Sequence, residues 1–378
     1  MKKYFIHIAV FLLILTPASN AAYIDTDAEV AVVIDGHTGK VLFSKNKDKK
    51  TYPASMTKIM TTLIIFEKLA NETLSLDDKF LVSEKAWRER EGSSMFVEVD
   101  KEIRVEDLLR GIIVQSGNDA CIVVAENIAG TEESFAKMMT QKAKEIGMKN
   151  TNFTNSTGMY DKDNYSTVYD IALLSMYLIN EYPQYYHLFA ETEFEWSGIK
   201  QNNRNSLLYK NMGVDGLKTG HLSKSGYGLA ASAVDQNRRV ISVVNGFENT
   251  QKRTQGSSRL ITWAFREFTN LKLFEKDNIV GQVEILSASN KASDVSTSEE
   301  IIITVPKSKR DELITNIVVD ENISAPLNAG DKIGYLEVSI PGEENQSFEL
   351  YATNAIDRSN IFVRFFNYLV KLILSLFN

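Results

Sequence analysis

A serine three residues before a lysine can be a nucleophile beside its own base. The chain carries this S-x-x-K spacing at Ser44, Ser55, Ser134 and Ser197. Local context separates them. Ser44 ends a strand pattern, Ser134 sits inside a helical one, and Ser197 lies beside Gly198. Only Ser55, in YPASMTKIMTT, stands at the mouth of a helix, just behind Pro53. There the i, i+3 spacing stacks Ser55 and Lys58 on one face. A helix N-terminus is positive and favours the neutral form of a lysine held there. A neutral amine within reach of a hydroxyl can take its proton and make the serine a nucleophile.

Two further places could do chemistry. In GIIVQSGNDAC, Ser116-Gly117-Asn118 falls between two helical patterns. It reads either as a capped helix connection or as a hydroxyl and an amide aimed into a cleft, one relaying protons and one holding a substrate amide. Cys121 reads as a small core residue. In VDGLKTGHLSKSGYGLAASA, Lys218-Thr219-Gly220 lies in an edge-strand pattern, with glycine where something must approach the backbone closely. Lys218 and Thr219 offer donors for a carboxylate, or else form a glycine-rich hairpin with a solvated lysine. The four histidines are too few and too scattered for a metal site, so no metal or cofactor is expected. His37 and His187 have no partners that suggest a Ser-His-Asp triad, and no G-x-S-x-G elbow occurs.

These segments need a scaffold. Glu29–Lys45 reads as two strands around a turn at Gly36–Gly39, and a helix is predicted from about Ser55 to Ala70. Helical patterns follow at Val105–Val114, Ala120–Ile128, Glu132–Ile146 and Thr167–Ile179. Strand patterns return at Gly216–Thr219, Tyr227–Ala233 and Arg239–Asn245, and Ser257–Phe268 reads as a helix. Strands at both ends with helices between them predict one mixed sheet covered by helices, an α/β arrangement. From about Lys272 to Tyr351 the segments VGQVEIL, EEIIITV, ITNIVVD and YLEVSI alternate or are β-branched, which predicts a small all-β domain without catalytic clusters.

Composition is that of a globular protein, 44% hydrophobic and 24% charged, long enough for two domains. A net charge of −7 and a pI near 5.4 argue against nucleic acid as a partner. A single cysteine excludes an intrachain disulfide. The first 21 residues read as a secretory signal: Lys2 and Lys3, an apolar run from Phe5 to Leu15, then small residues at Ser19 and Ala21. The last segment, SNIFVRFFNYLVKLILSLFN, gathers Asn360, Arg364, Asn367, Lys371 and Ser375 on one narrow helical stripe. That pattern suits a helix lying in a membrane interface better than one spanning it.

In the order S-x-x-K, S-x-N, K-T-G, the three motifs form the signature of penicillin-binding proteins and serine β-lactamases. With PASMTKIMT, EGSSMF, RGIIVQSGNDAC, NYSTVYD, NRNSLL, VDGLKTGH and SRLITWAF, the chain from about Ala31 to Phe268 resembles the D-alanyl-D-alanine carboxypeptidases, the low-molecular-mass penicillin-binding proteins. The resemblance implies a signal peptide over 1–21, a transpeptidase/β-lactamase-like domain with a central antiparallel sheet over 22–270, a β-sandwich-like domain over 271–354 and a membrane-anchoring amphipathic helix over 355–378. It implies that Ser55 attacks the carbonyl between the two terminal D-alanines of the peptidoglycan stem pentapeptide, with Lys58 as general base and Ser116 as proton shuttle. Asn118 would hold the substrate backbone. Lys218, Thr219, Gly220 and Arg253 would bind the terminal carboxylate end, and the backbone N–H groups of Ser55 and His221 would form the oxyanion hole. β-Lactams would be inhibitors acylating Ser55, and the protein would sit on the periplasmic face of the inner membrane. Leu222, where threonine is expected, and Asn164, where histidine is frequent, depart from the pattern and bear on substrate preference. The alternatives are a serine β-lactamase and an inactive wall-binding scaffold. Against the first, no Glu-x-x-x-Asn lies between Ser116 and Lys218; against the second, all three motifs are intact.

Overall fold

A computed structural model describes residues 23–360 apart from 90, 286–291, 321–322 and 359. The predicted leader and residues 361–378 of the predicted C-terminal helix lie outside the described residues. Just before them, Ile356 bridges Leu327 in an extended stretch. Among the described residues no helix is long and apolar enough to cross a membrane.

The chain divides into two compact units. The first comprises Ile24–Leu273 with Ile302–Thr304. Its centre is a five-stranded antiparallel sheet in the order Val41–Lys45, Val30–Asp35, Arg238–Phe247, Gly226–Asp235, Val214–Leu222. The strand VAVVID is apolar without alternation because both faces are covered. Val30, Val32 and Ile34 join the main core with Ile171, Leu174 and Leu178 of the Val168–Glu181 helix. Ala31 and Val33 are equally buried but lie outside that cluster. The Thr250–Glu267 helix, with Leu260, Ile261 and Ala264 buried, packs on the same sheet. This is the mixed sheet-and-helix fold expected from the pattern.

The helix Lys58–Ala70 runs through the core with Ile59, Met60, Leu63 and Phe66 sealed from solvent. Apolar residues surround it on all sides, as expected of a helix buried between other elements. Val105–Ile113, Glu132–Glu145 and Val168–Glu181 pack against it. The sequence reading missed two short antiparallel strand pairs, Lys79–Leu81 with Glu102–Arg104 and Glu193–Trp196 with Ile199–Asn202. In the second, Ser197 and Gly198 both have positive φ and form the two-residue turn. That turn accounts for one of the unused S-x-x-K spacings.

Among the described residues, the second unit comprises Phe274–Ile301 and the chain from Val305 to Asn360. It is sheet-based: a five-stranded antiparallel sheet ordered Ile279–Glu284, Ala292–Ser296, Gln346–Ala352, Lys332–Ser339, Ile314–Val319. Ile333, Leu336, Val338, Leu350 and Ala352 supply its buried face.

Candidate active site

Pro53 starts a 3-10 turn, Ala54–Thr57, and the α-helix begins at Lys58. Ser55 therefore sits one turn before the helix proper, and the short turn places its hydroxyl beside the lysine. Lys58 Nζ lies 3.2 Å from Ser55 Oγ, 2.7 Å from Asn118 Oδ1 and 2.5 Å from the Thr157 carbonyl oxygen. The side chain is only 1% exposed. Burial lowers its pKa, the Arg204 charge adds to that shift, and the Asp119 and Glu132 charges oppose it. The sequence reading had attributed the neutral tendency to the helix end. Desolvation is the larger cause, because an ammonium loses its hydration while gaining no carboxylate.

Ser116 and Asn118 arrive from the connection between two helices. Ser116 is buried with φ at +60°, an uncommon state for a residue with a side chain. Asn118 opens its helix and is used fully. Its Oδ1 accepts from Lys58, and its Nδ2 donates to the Glu91 carbonyl at 2.8 Å and approaches Met159 Sδ at 3.3 Å. Next to it stands a residue the motif reading passed over. Asp119 accepts hydrogen bonds from the backbone N–H groups of Met95, Phe96 and Val97 and from the Ser94 hydroxyl. It pins the segment that brings Gly92 and Ser93 to the cleft. An acidic residue in the first turn of a helix was the available signal. Cys121 is fully buried and burial pushes its thiol up to about 12, so it stays protonated and packs as an apolar residue.

The opposite wall is the edge strand Val214–Leu222. Thr219, Gly220 and His221 line the cleft, and His221 stacks on Tyr227 with ring centroids 3.9 Å apart. A Cβ at Gly220 would meet the Pro53 carbonyl oxygen at 2.7 Å. The close approach expected at this glycine is thus made by the turn that carries the nucleophile. Lys218 is 3% exposed, and its pKa falls well below normal through burial and the charges of Lys58, Arg204 and Arg253.

Arg253 lies in the first turn of Thr250–Glu267, a helix that begins earlier than the sequence pattern suggested. It is buried, donates from Nη2 to the Arg204 carbonyl at 3.3 Å, and its Nε has no partner. Burial takes its pKa down to about 10. Arg204 was also missed. It lines the cleft and donates to the Ser93 hydroxyl, and burial lowers its pKa. An arginine in a polar connector carries no periodic signal, and only folding brings it to Arg253. Of the two departures from the motif pattern, Leu222 lines the cleft. Asn164 is buried away from it and accepts from the Thr154 N–H at 3.2 Å.

The cleft encloses about 360 Å³ and brings Ser55, Ser116, Asn118, Thr219, His221 and Arg253 to one surface, with Lys58 and Lys218 buried. Nucleophile, neutralised amine, second hydroxyl and desolvated cations in one groove suit acyl transfer on a substrate ending in a carboxylate. Among the described residues no group of His, Cys, Asp and Glu is arranged to hold a metal.

Known proteins agree with this chemistry. Residues 16–249 match the peptidase S11 family, D-alanyl-D-alanine carboxypeptidase, and residues 268–358 match the penicillin-binding protein 5 C-terminal domain. D-alanyl-D-alanine carboxypeptidase DacA of Haemophilus influenzae is 34% identical over 93% of this chain and 91% of its own. The crystal structure of penicillin-binding protein 5 from the same organism superposes with a TM-score of 0.85 at 33% identity, covering 90% of this chain and 100% of the other. Penicillin-binding protein D2 of Listeria monocytogenes, solved in an ampicillin-bound form, matches at 29% identity and a TM-score of 0.59, covering 65% of this chain and 99% of its own. The chain is a member of the D-alanyl-D-alanine carboxypeptidase family, a penicillin-binding serine hydrolase of the peptidase S11 group.

Proposed function

We propose that this carboxypeptidase removes the terminal D-alanine of peptidoglycan stem pentapeptides through an acyl-enzyme on Ser55. One observation carries the assignment: a buried lysine, without a carboxylate partner among the described residues, lies 3.2 Å from the Ser55 hydroxyl. As an ammonium, Lys58 would donate all three of its N–H bonds to Ser55, Asn118 and Thr157. As a neutral amine it has two N–H bonds and one lone pair. The two carbonyl oxygens, Asn118 Oδ1 and Thr157 O, require donors. The lone pair then faces Ser55, whose hydroxyl donates to it. Asn118 and Thr157 thereby orient the base.

Ser55 Oγ attacks the carbonyl between the two D-alanines while its proton passes to Lys58. The backbone N–H groups of Ser55 and His221 take the oxyanion. Collapse of the tetrahedral adduct breaks the C–N bond. Ser116 carries the proton to the departing amine, and D-alanine leaves. A water then attacks the ester, giving its proton to Lys58, and as the acyl–oxygen bond breaks Lys58 returns a proton to Ser55 Oγ. Thr219, Arg253 and the charge of Lys218 hold the terminal carboxylate. Lys218, Arg204 and Arg253, which among the described residues have no ion-pair partner, are stabilised together when an anion arrives. A β-lactam offers the same acyl and carboxylate groups and acylates the same serine.

The test is D-alanine release from a pentapeptide together with labelling by a fluorescent penicillin. Both should be present in the wild type and absent in Ser55→Ala. Rapid nitrocefin hydrolysis without D-alanine release would assign a β-lactamase instead. For its location, we propose the periplasmic face of the inner membrane, with the amphipathic stripe of the last segment as the surface anchor. Deleting residues 359–378 should move the protein from the membrane fraction to the soluble one.

A further inference from the structure

At one end of the cleft a cation and two aromatic rings form a cluster that the reaction does not use. Lys224 Nζ donates to the Tyr160 hydroxyl at 2.7 Å and stands 3.9 Å from the centre of that ring. Tyr160 packs edge-on against Tyr52, centroids 5.1 Å apart. The three residues belong to three segments that build the cleft. Tyr52 precedes the nucleophile turn. Tyr160 follows Gly158 and Met159, which line one wall. Lys224 lies in the turn after the edge strand, two residues beyond Leu222, which lines the other.

The substrate's path places a particular residue here. The terminal carboxylate belongs at Thr219 and Arg253, and the scissile carbonyl lies between Ser55 and the His221 N–H. The acyl side of the peptide must therefore leave the cleft past Leu222. An extended chain advances about 3.3 Å per residue, so the residue two before the C-terminus lies roughly 7 Å along, level with His221, and its side chain can extend past Leu222 toward the turn that carries Lys224. Lys224 is exposed, and among the described residues it has no carboxylate partner. Its Tyr160 bond engages one of three N–H donors, leaving two for an incoming anion. The tyrosine hydroxyl fixes the amine in place, which lowers the entropy cost of that contact.

We propose that Lys224, braced by Tyr160 and Tyr52, is a specificity residue that recognises a carboxylate on the side chain immediately ahead of D-Ala-D-Ala. This rests on the carboxypeptidase reading above and adds a preference within it. The experiment compares N-acetyl-L-Glu-D-Ala-D-Ala with N-acetyl-L-Gln-D-Ala-D-Ala, which differ by a carboxylate and its neutral amide. D-Alanine release by the wild type should give a kcat/KM about fivefold higher for the first, the size of a partly exposed charge contact. The ratio should fall to about one in Lys224→Met and in high salt, and below one in Lys224→Glu. Tyr160→Phe, which keeps the ring and drops the hydroxyl, should retain part of the preference. Equal kcat/KM for the two peptides with the wild type would overturn the subsite alone. Release from neither would overturn the carboxypeptidase reading with it. A purely structural brace would lower both rates together in Lys224→Met and leave the ratio at five, which also refutes the proposal.

Discussion

Two ends of one sheet treat buried charge in opposite ways. At the end of strand Val30–Asp35, the fully buried Asp35 accepts from the His37 and Thr38 N–H groups, from Asn270 Nδ2 at 3.2 Å and from Arg238 Nε at 2.9 Å. Arg238 in turn donates to the Ala264 and Phe268 carbonyl oxygens. At the cleft, Lys58, Lys218 and Arg253 are as deeply buried, and among the described residues no ion pair reaches them. The same contrast separates the two ends of the Lys58–Ala70 helix. Burial alone would lower Lys142, but Glu67 at 2.7 Å and Glu145 at 2.9 Å outweigh it and raise its pKa. Lys58, with carbonyls and hydroxyls for neighbours, is lowered. Paired charge serves the fold, whereas uncompensated charge is held at a cost in stability and is available to a substrate.

Exchanging roles across this divide gives the sharpest tests. Lys58→Met should lower acylation by a fluorescent penicillin by about a thousandfold, the usual worth of a general base. Its melting temperature should change little, since removing a desolvated amine offsets the loss of its N–H donors to Asn118 Oδ1 and the Thr157 carbonyl oxygen. A large loss of stability would mean that Lys58 is a structural residue. Asp35→Ala should do the reverse. Leaving Arg238 buried and unpaired should cost about 3–5 kcal/mol in denaturant unfolding, with the acylation rate of the folded fraction unchanged.

Arg253→Met should lower kcat/KM for a D-Ala-D-Ala peptide by about tenfold, mostly through KM, since one charged hydrogen-bond donor to the carboxylate is lost. A C-terminal amide substrate should show little change, and equal losses on both would place Arg253 outside carboxylate binding. The smallest effect is a slope with pH. The unfolded chain keeps its lysine protons up to about pH 10.4. The native state sheds those of Lys58 and Lys218 earlier, because both are lowered by burial. Between those points the unfolded state binds more protons, so stability rises with pH. Melting temperatures followed across the alkaline range should show that rise in the wild type and a shallower one in Lys58→Met. The same lowering makes acylation increase with pH as Lys58 becomes neutral.

The strand runs and helical periodicities were readable because they record local burial. VAVVID and the apolar positions of Lys58–Ala70 are both sealed in the structure. Readable too were Ser55, Lys58, Ser116, Asn118 and the Lys218–His221 strand, since each motif is a short fixed spacing. The short strand pairs were not, because EFEW alternates over only four residues and KFL and EIR over three, too short a run to separate a strand from a loop. Arg204 and Asp119 were missed because their importance depends on partners far away in sequence, Arg253 and the Ser94–Val97 segment.

The amino-acid order by itself determined which groups are present and which stand together on one turn or one strand, because spacings of three or two residues are set by helix and strand geometry. What only the tertiary structure decided is their chemistry. Ser116 lies 61 residues beyond Ser55 in the chain, and Lys218 farther still. Packing brought them to one groove, and packing also removed water from Lys58. A lysine's willingness to give up its proton is a property of the dielectric and charges around it, and those come from residues distant in sequence.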